Sequence, residues 1–172
     1  MKKIIYLVLF FATAMTATAQ NFDEVSNLKH VSETRVTGAM FKMIASFDSD
    51  DPEFDELMKT VGNLKDLRIY TTSDKSSAMK MKSLANGFIS KNKMELLMSV
   101  KEDGQNFTLH MLKGNSESKI RELLMFIDDT DNNKDESVLM VLSGDLDMKQ
   151  ISKITKSLDV PGQKQIEKAT QK

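Results

Sequence analysis

The side chains in this chain that could do chemistry are few and widely spaced. His30 and His110 stand far apart, and neither belongs to an HExxH or other paired-ligand spacing. A lone histidine lacks the partner that fixes its tautomer, so neither reads as a general acid or base. Asp129-Thr130-Asp131-Asn132-Asn133 opens like an EF-hand loop, but Lys134 holds the glycine position and Met140 the bidentate-glutamate position. A solvated hairpin turn is the better reading. The acids Asp48, Asp50, Asp51, Glu53, Asp55 and Glu56 flank the start of a predicted helix, where carboxylates meet the positive end of the dipole. No GxSxG elbow, Walker loop or GxGxxG occurs. Methionine thioethers can bind cuprous ion, yet Met81, Met98 and Met111 fall on apolar faces and read as adaptable core filler. Lys75, Lys80 and Lys82 read as a solvated helix face. We therefore assign no catalytic residue, no cofactor and no metal ligand.

Composition narrows the classes further. The chain has 172 residues, enough for one domain or two small ones. Its 24 Lys+Arg nearly balance 25 Asp+Glu, which argues against a dedicated nucleic-acid binder. The absence of cysteine removes disulfide scaffolds, thiolate metal sites and cysteine nucleophiles.

Residues 1–19 read as a signal peptide. Lys2 and Lys3 form a positive start, Ile4 to Phe11 are unbroken apolar, and Ala17-Thr18-Ala19 has the A-x-A pattern of a cleavage site. The apolar run is shorter than the roughly 20 residues a bilayer requires. Cleavage after Ala19 leaves a chain of 153 residues with 22 basic side chains and a net charge of −3. The expectation is a soluble protein, periplasmic or secreted, with no transmembrane segment.

The mature chain then divides into elements. A strand is predicted at Val31–Thr37, and Met40, Phe41, Met43, Ile44 and Phe47 follow helical spacing. Pro52 suits a first helical position, and Phe54, Leu57, Met58, Val61 and Leu64 share one face, with Gly62 near the end. Leu67–Thr71 reads as a strand, followed by a helix capped by Ser73 or Asp74 with Ala78, Met81, Leu84, Ala85 and Phe88 as its buried stripe. Two hairpins come next, 94–101 with 106–113 across Asp103-Gly104, and 120–128 with 136–143. Each ends in a glycine, Gly114 and Gly144, and each opens with Glu-Leu-Leu-Met. A last helix is expected from Asp147, with Met148, Ile151, Ile154 and Leu158 inward, and residues 161–172 form a polar tail. The predicted fold is α+β: a single domain over residues 20–160, with an antiparallel sheet of five or six strands and three or four helices.

This order resembles the secreted Bacteroidetes proteins that carry domain of unknown function 4252. The resemblance runs from Phe22 to Val160. It rests on Val36-Thr37-Gly38-Ala39-Met40-Phe41-Lys42-Met43, on Glu95-Leu96-Leu97-Met98-Ser99-Val100-Lys101, and on Gly144-Asp145-Leu146-Asp147-Met148. It implies export and a similar size, and it brings no activity and no catalytic residue. Some members look like lipoproteins; this chain, lacking cysteine, departs from them.

The strands themselves say most about surfaces. In the first hairpin Met94, Leu96, Met98 and Val100 share a face with Phe107, Leu109 and Met111, while Thr108 and His110 point to a polar side. The second hairpin is apolar on both sides: Leu123, Met125 and Ile127 against Leu124 and Phe126, and Val138, Met140 and Leu142 against Leu139 and Val141. The second face, extended by Leu97 and Leu112, needs a cover. A helix over it would make ordinary core; left open, it would mark a contact surface. The sequence reading takes Leu97, Leu112, Leu124, Phe126, Leu139 and Val141 as a candidate interaction face of an exported, non-enzymatic domain. Its partner would be an envelope or periplasmic protein, or a second copy. The alternative is a carrier of an apolar small molecule or lipid, and a more distant one a hydrolase with a dispersed site.

Overall fold

β-Strand pairing closes around Gly104, where the sequence predicts a hairpin turn. Glu102 pairs with Gln105 across it, and Gly104 has φ 85°, in the left-handed region open to glycine. The computed structural model describes residues 22–47, 50, 52–102, 104–116, 119–129 and 136–147, without the side chains of residues 52, 53, 56, 57 and 147. The predicted leader, the last helix with Met148, Ile151, Ile154 and Leu158, most of the loop from Thr130 and the polar tail lie outside these residues.

The elements are α1 (Asp23–Ser26), β1 (Ser32–Thr37), α2 (Gly38–Ile44), α3 (Pro52–Val61), β2 (Leu64–Thr72), α4 (Lys75–Asn92), β3 (Glu95–Glu102), β4 (Gln105–Lys113), β5 (Lys119–Asp128) and β6 (Ser137–Asp147). The six strands form one open antiparallel sheet in the order β1-β2-β6-β5-β4-β3. This is the predicted single α+β domain. The two hairpins stand side by side, and β2 pairs with β6 to join them to the earlier strand. Asp74 caps α4 by accepting the Ser77 backbone N–H at 2.8 Å, and Lys93 ends it at φ 51°. Among the described residues no helix is long and apolar enough to cross a membrane.

Period-two alternation sorts the strands into two cores. On one face Leu67, Met140, Leu142, Leu123, Met125, Leu109 and Met111 form a layer joined by Phe41 of α2. On the other, Tyr70, Leu139, Val141, Leu124 and Phe126 lie beneath Met81, Ala85 and Phe88 of α4 and beneath Phe22 and Val25. The stretch from Phe22 to His30, polar apart from Phe22, Val25 and Leu28, therefore supplies a four-residue helix with Val25 in the core and Phe22 in the core just before it. A helix so short does not hold itself. Phe22 is fixed against Phe88 with ring centroids 4.6 Å apart, and the hydroxyl of fully buried Tyr70 lies 3.5 Å from the Phe22 carbonyl oxygen and 3.3 Å from a Glu33 carboxylate oxygen.

Three sequence expectations change. A bulge between Leu96 and Met98 shifts the register of β3, so Leu97, Met98 and Val100 pack on the first core while Leu96 faces solvent and Met94 joins the second. The run Met40, Phe41, Met43, Ile44 and Phe47 is helical only as far as Ile44, and only Phe41 of it is fully buried. And β6 does not stop at Gly144 but continues to Asp147. Gly144 permits this because the chain passes against Asn63 and Leu64, and Asp145 N–H donates to the Asn63 carbonyl at 3.2 Å.

A Cβ on Gly144 would stand 2.8 Å from the Asn63 carbonyl oxygen and 3.1 Å from Leu64 Cα, and both belong to backbone that cannot swing aside. Gly144→Ala is expected to lower stability by about 1–3 kcal/mol. Gly87→Ala, on the exposed side of α4 with nothing within 4 Å, is expected to raise it by about 0.5–1 kcal/mol. Urea unfolding of the two variants beside the parent checks both signs.

Candidate functional site

The sequence-predicted face comes together only in part, and it is not open. Leu124, Phe126, Leu139 and Val141 are buried side by side under α4 and α1, with Leu112 partly buried at their margin. Leu97 is carried to the opposite core by the β3 bulge. As an exposed interaction face this group is corrected: it is core, because α4 lies across it.

His110 pairs with Leu124 across β4–β5, which puts it on this same second face instead of the polar side read from the sequence. Its Nδ1 is buried without a hydrogen-bond partner, and burial pulls its pKa below the usual histidine value. His30 stands at φ 58° on the rim of a polar cleft of about 350 Å³ with Ser32, Ser73, Asp74 and Glu136. The backbone here is tied down: Thr72 Oγ1 donates to the His30 carbonyl at 2.6 Å, and Ser77 Oγ to the Lys29 carbonyl at 2.7 Å. Asp74 is occupied as the α4 cap, and the Ser77 N–H holds its carboxyl below the usual range. Among the described residues no three His, Asp or Glu side chains are grouped to hold a metal ion. Of the three α4 lysines, Lys75 and Lys80 are exposed, but Lys82 forms an ion pair with the buried Asp128 at the end of β5.

Where α4 no longer covers the second face, the sheet carries a polar row that the sequence reading did not single out. Asp66, Ser143 and Glu122 are cross-strand neighbours on β2, β6 and β5. Asp66 receives Arg35 Nε at 2.8 Å and Arg68 Nε at 2.7 Å. Burial pushes its carboxyl up, but the two guanidinium bonds outweigh that and hold it below its usual value. Arg68 also reaches Asp23 of α1 at 3.5 Å, tying the short helix to the sheet. Burial lowers the pKa of Arg68 less than its bonds to Asp66 and Tyr70 raise it, so it stays charged. Glu122 differs: burial pushes its carboxyl up to about 7, against the pull of Arg121 and Arg68. Alternation with Leu124 and Phe126 puts this glutamate on the second face, and a bulge separates it from Ile120, which packs on the first.

One apolar surface is left bare. Met40, Met43 and Phe47 are 45, 51 and 59 % exposed. They recur at i, i+3 and i+7 along α2 and its last turn, so they share a side, while Phe41 faces the core and Ala45 packs toward Gly62.

These features define a class: an open six-stranded antiparallel α+β domain with helices over its second face and one bare helix stripe. The chain belongs to the family described as Domain of unknown function (DUF4252), whose model matches residues 22–154. The match begins at Phe22, a side chain of the second core. No curated protein and no solved structure matches the chain.

Because Glu122 binds its proton more tightly when folded, stability falls as pH rises from its ordinary 4.5 through about 7. Glu122→Gln keeps the shape and removes the charge. It is expected to unfold like the parent at pH 4 and to be more stable by about 1–3 kcal/mol near pH 8. Denaturant titrations at the two pH values read the difference.

Proposed function

We propose that this protein is an exported, non-catalytic module that docks a protein partner through the α2 stripe of Met40, Met43 and Phe47. The observation that carries the reading is the exposure of three large apolar side chains on α2 and the turn that follows it, while most apolar sheet positions are drawn into two cores. Clustered exposed apolar surface of this kind marks a contact, and Met is suited to it because its side chain repacks against different partners. Export is supported by the leader pattern of residues 1–19. The non-catalytic reading is supported by the placement of the polar groups: Asp66 sits between two arginines, Asp74 on a helix cap, and Lys82 on Asp128.

A second reading, carriage of an apolar small molecule, has one observation on its side. A cleft of about 270 Å³ lies between α1 and α4, lined by Phe22, Val25, Leu84 and Phe88. It is slightly below the range of roughly 300–1,000 Å³ typical of ligand pockets.

The test of the docking reading is a double variant, Met40→Lys with Met43→Lys, returned to the native host. Both positions face solvent, so the variant is expected to unfold within a few degrees of the parent. The parent is expected to migrate in envelope extracts as a complex larger than the monomer, and the variant as the monomer alone. Identical migration of the two overturns the reading. An esterase or glycosidase activity that one carboxylate substitution abolishes would overturn its non-catalytic part.

A further inference from the structure

Three irregularities in strand pairing fall side by side at one end of the sheet. Asp66, Ser143, Glu122 and Leu112 are cross-strand neighbours in one row. On the next row the register breaks in all three strand pairs, β2–β6, β6–β5 and β5–β4. Lys65 is the residue skipped on β2 and Arg121 the one skipped on β5, while Gly144 and Asp145 are skipped on β6 toward β5. A bulge takes its extra residue out of the ladder and re-aims the side chain. Here two re-aimed side chains are cations, and both are exposed.

These residues line one cleft of about 260 Å³, together with Gly114 and Lys119. Its charged groups are three cations and one carboxylate. Lys119 Nζ lies 3.4 Å from Asp145 Oδ1 on the exposed rim, and among the described residues no carboxylate stands within ion-pair distance of Lys65 or Arg121. The carboxylates next in sequence are engaged elsewhere: Asp66 holds Arg35 and Arg68, and Glu122 lies on the second face with Leu124. Gly144 is held to glycine by the Asn63 backbone, so no side chain rises from that part of the floor. Like charges gathered in one concavity repel each other until an anion joins them.

We propose that this cleft is a binding site for a phosphate group, separate from the α2 stripe. Three cations less one carboxylate leave two positive charges, which a phosphate monoester of about −1.5 to −2 balances near neutral pH. The Arg121 fork takes two oxygens of one anion, and the lysines supply point charges for the rest. A carboxylate has two oxygens and a single charge, and one arginine satisfies it. The phosphate can arrive on a small soluble ester or on a lipid headgroup, and the recognising chemistry is the same.

Backbone amide NMR of the purified chain near neutral pH tests this, with inorganic phosphate, glycerol 3-phosphate and acetate as probes. The expected result is a saturable shift of the Gly114, Lys119 and Gly144 amides with both phosphates, little shift with acetate, and weaker binding as salt rises. Arg121→Gln should weaken phosphate binding about 10-fold, and Asp145→Asn should tighten it by a few-fold. Both positions are exposed, so both variants should unfold close to the parent. Vesicles of phosphatidylcholine with and without phosphatidic acid separate the two sources. Capture by the phosphatidic acid vesicles that Arg121→Gln abolishes assigns a lipid headgroup; binding of glycerol 3-phosphate without capture assigns a soluble ester. No saturable binding of any phosphate probe, acetate binding as tight as phosphate, or phosphate binding that Arg121→Gln leaves unchanged each overturns the proposal. The docking reading stands or falls separately, on the complexes formed by the stripe variants.

Discussion

Leu123 to Phe126 on β5 and Leu139 to Leu142 on β6 are apolar at every position, so the two central strands present hydrocarbon on both sides of the sheet. Each such side chain left in water forgoes about 1.5–3 kcal/mol, and eight of them exceed any loop's ability to compensate. The rest of the described fold answers that constraint. The first face is a broad layer that continues across β2 and β4, with Phe41 of α2 joining it at the β2 side. The second face is narrower, and the small residues Ala78 and Ala85 with Met81 let α4 lie close against it. α1 and the residue before it close what α4 leaves, with Phe22 and Val25 as the two plugs.

Polar groups then mark where the cover stops. Asp66, Arg35 and Arg68 neutralise one another at the edge of the second face, and Arg68 draws Asp23 and its helix onto the sheet. These partners are partly exposed, so each bond contributes little by itself; their effect is to fix where α1 sits. Glu122 and His110 have no comparable partner, and burial moves both toward their neutral forms. The bare α2 stripe has a related origin. α2 is only seven residues long and is pinned through Phe41 and Gly38, so its opposite side faces away from the sheet.

Much of this was legible in the residues. Alternation on β4, the Asp103-Gly104 turn, the Asp74 cap and the Ala78–Met81–Ala85–Phe88 stripe each gave their element and its buried side, because local spacing alone decides them. The two-sidedness of β5 and β6 was equally plain. What covers the second side was not, since that depends on α4 crossing over from a distant part of the chain. The misplacement of Leu97 has another cause: it adjoins a bulge, and one extra residue reverses the side to which a strand position points. Phe22 and Val25 were missed because two apolar residues in a polar stretch show no period. The exposed stripe went unassigned for the opposite reason. Met40, Met43 and Phe47 have perfect helical spacing, but spacing does not tell which side of a short helix meets the core.

The chain itself seals the second sheet face, with α4 and Phe22 and Val25 lying across it. Leu124→Asp in the purified chain tests it most directly, by far-UV circular dichroism and thermal unfolding. Leu124 is fully buried between Val141 and His110 on its neighbouring strands, so a carboxylate there has no solvent and no counter-ion at hand. The account predicts loss of the cooperative transition, with Leu124→Ala still folded but weaker by about 2–5 kcal/mol. A Leu124→Asp protein that unfolds cooperatively at the parent's temperature, altered only in its association, would contradict it and make that face an open surface.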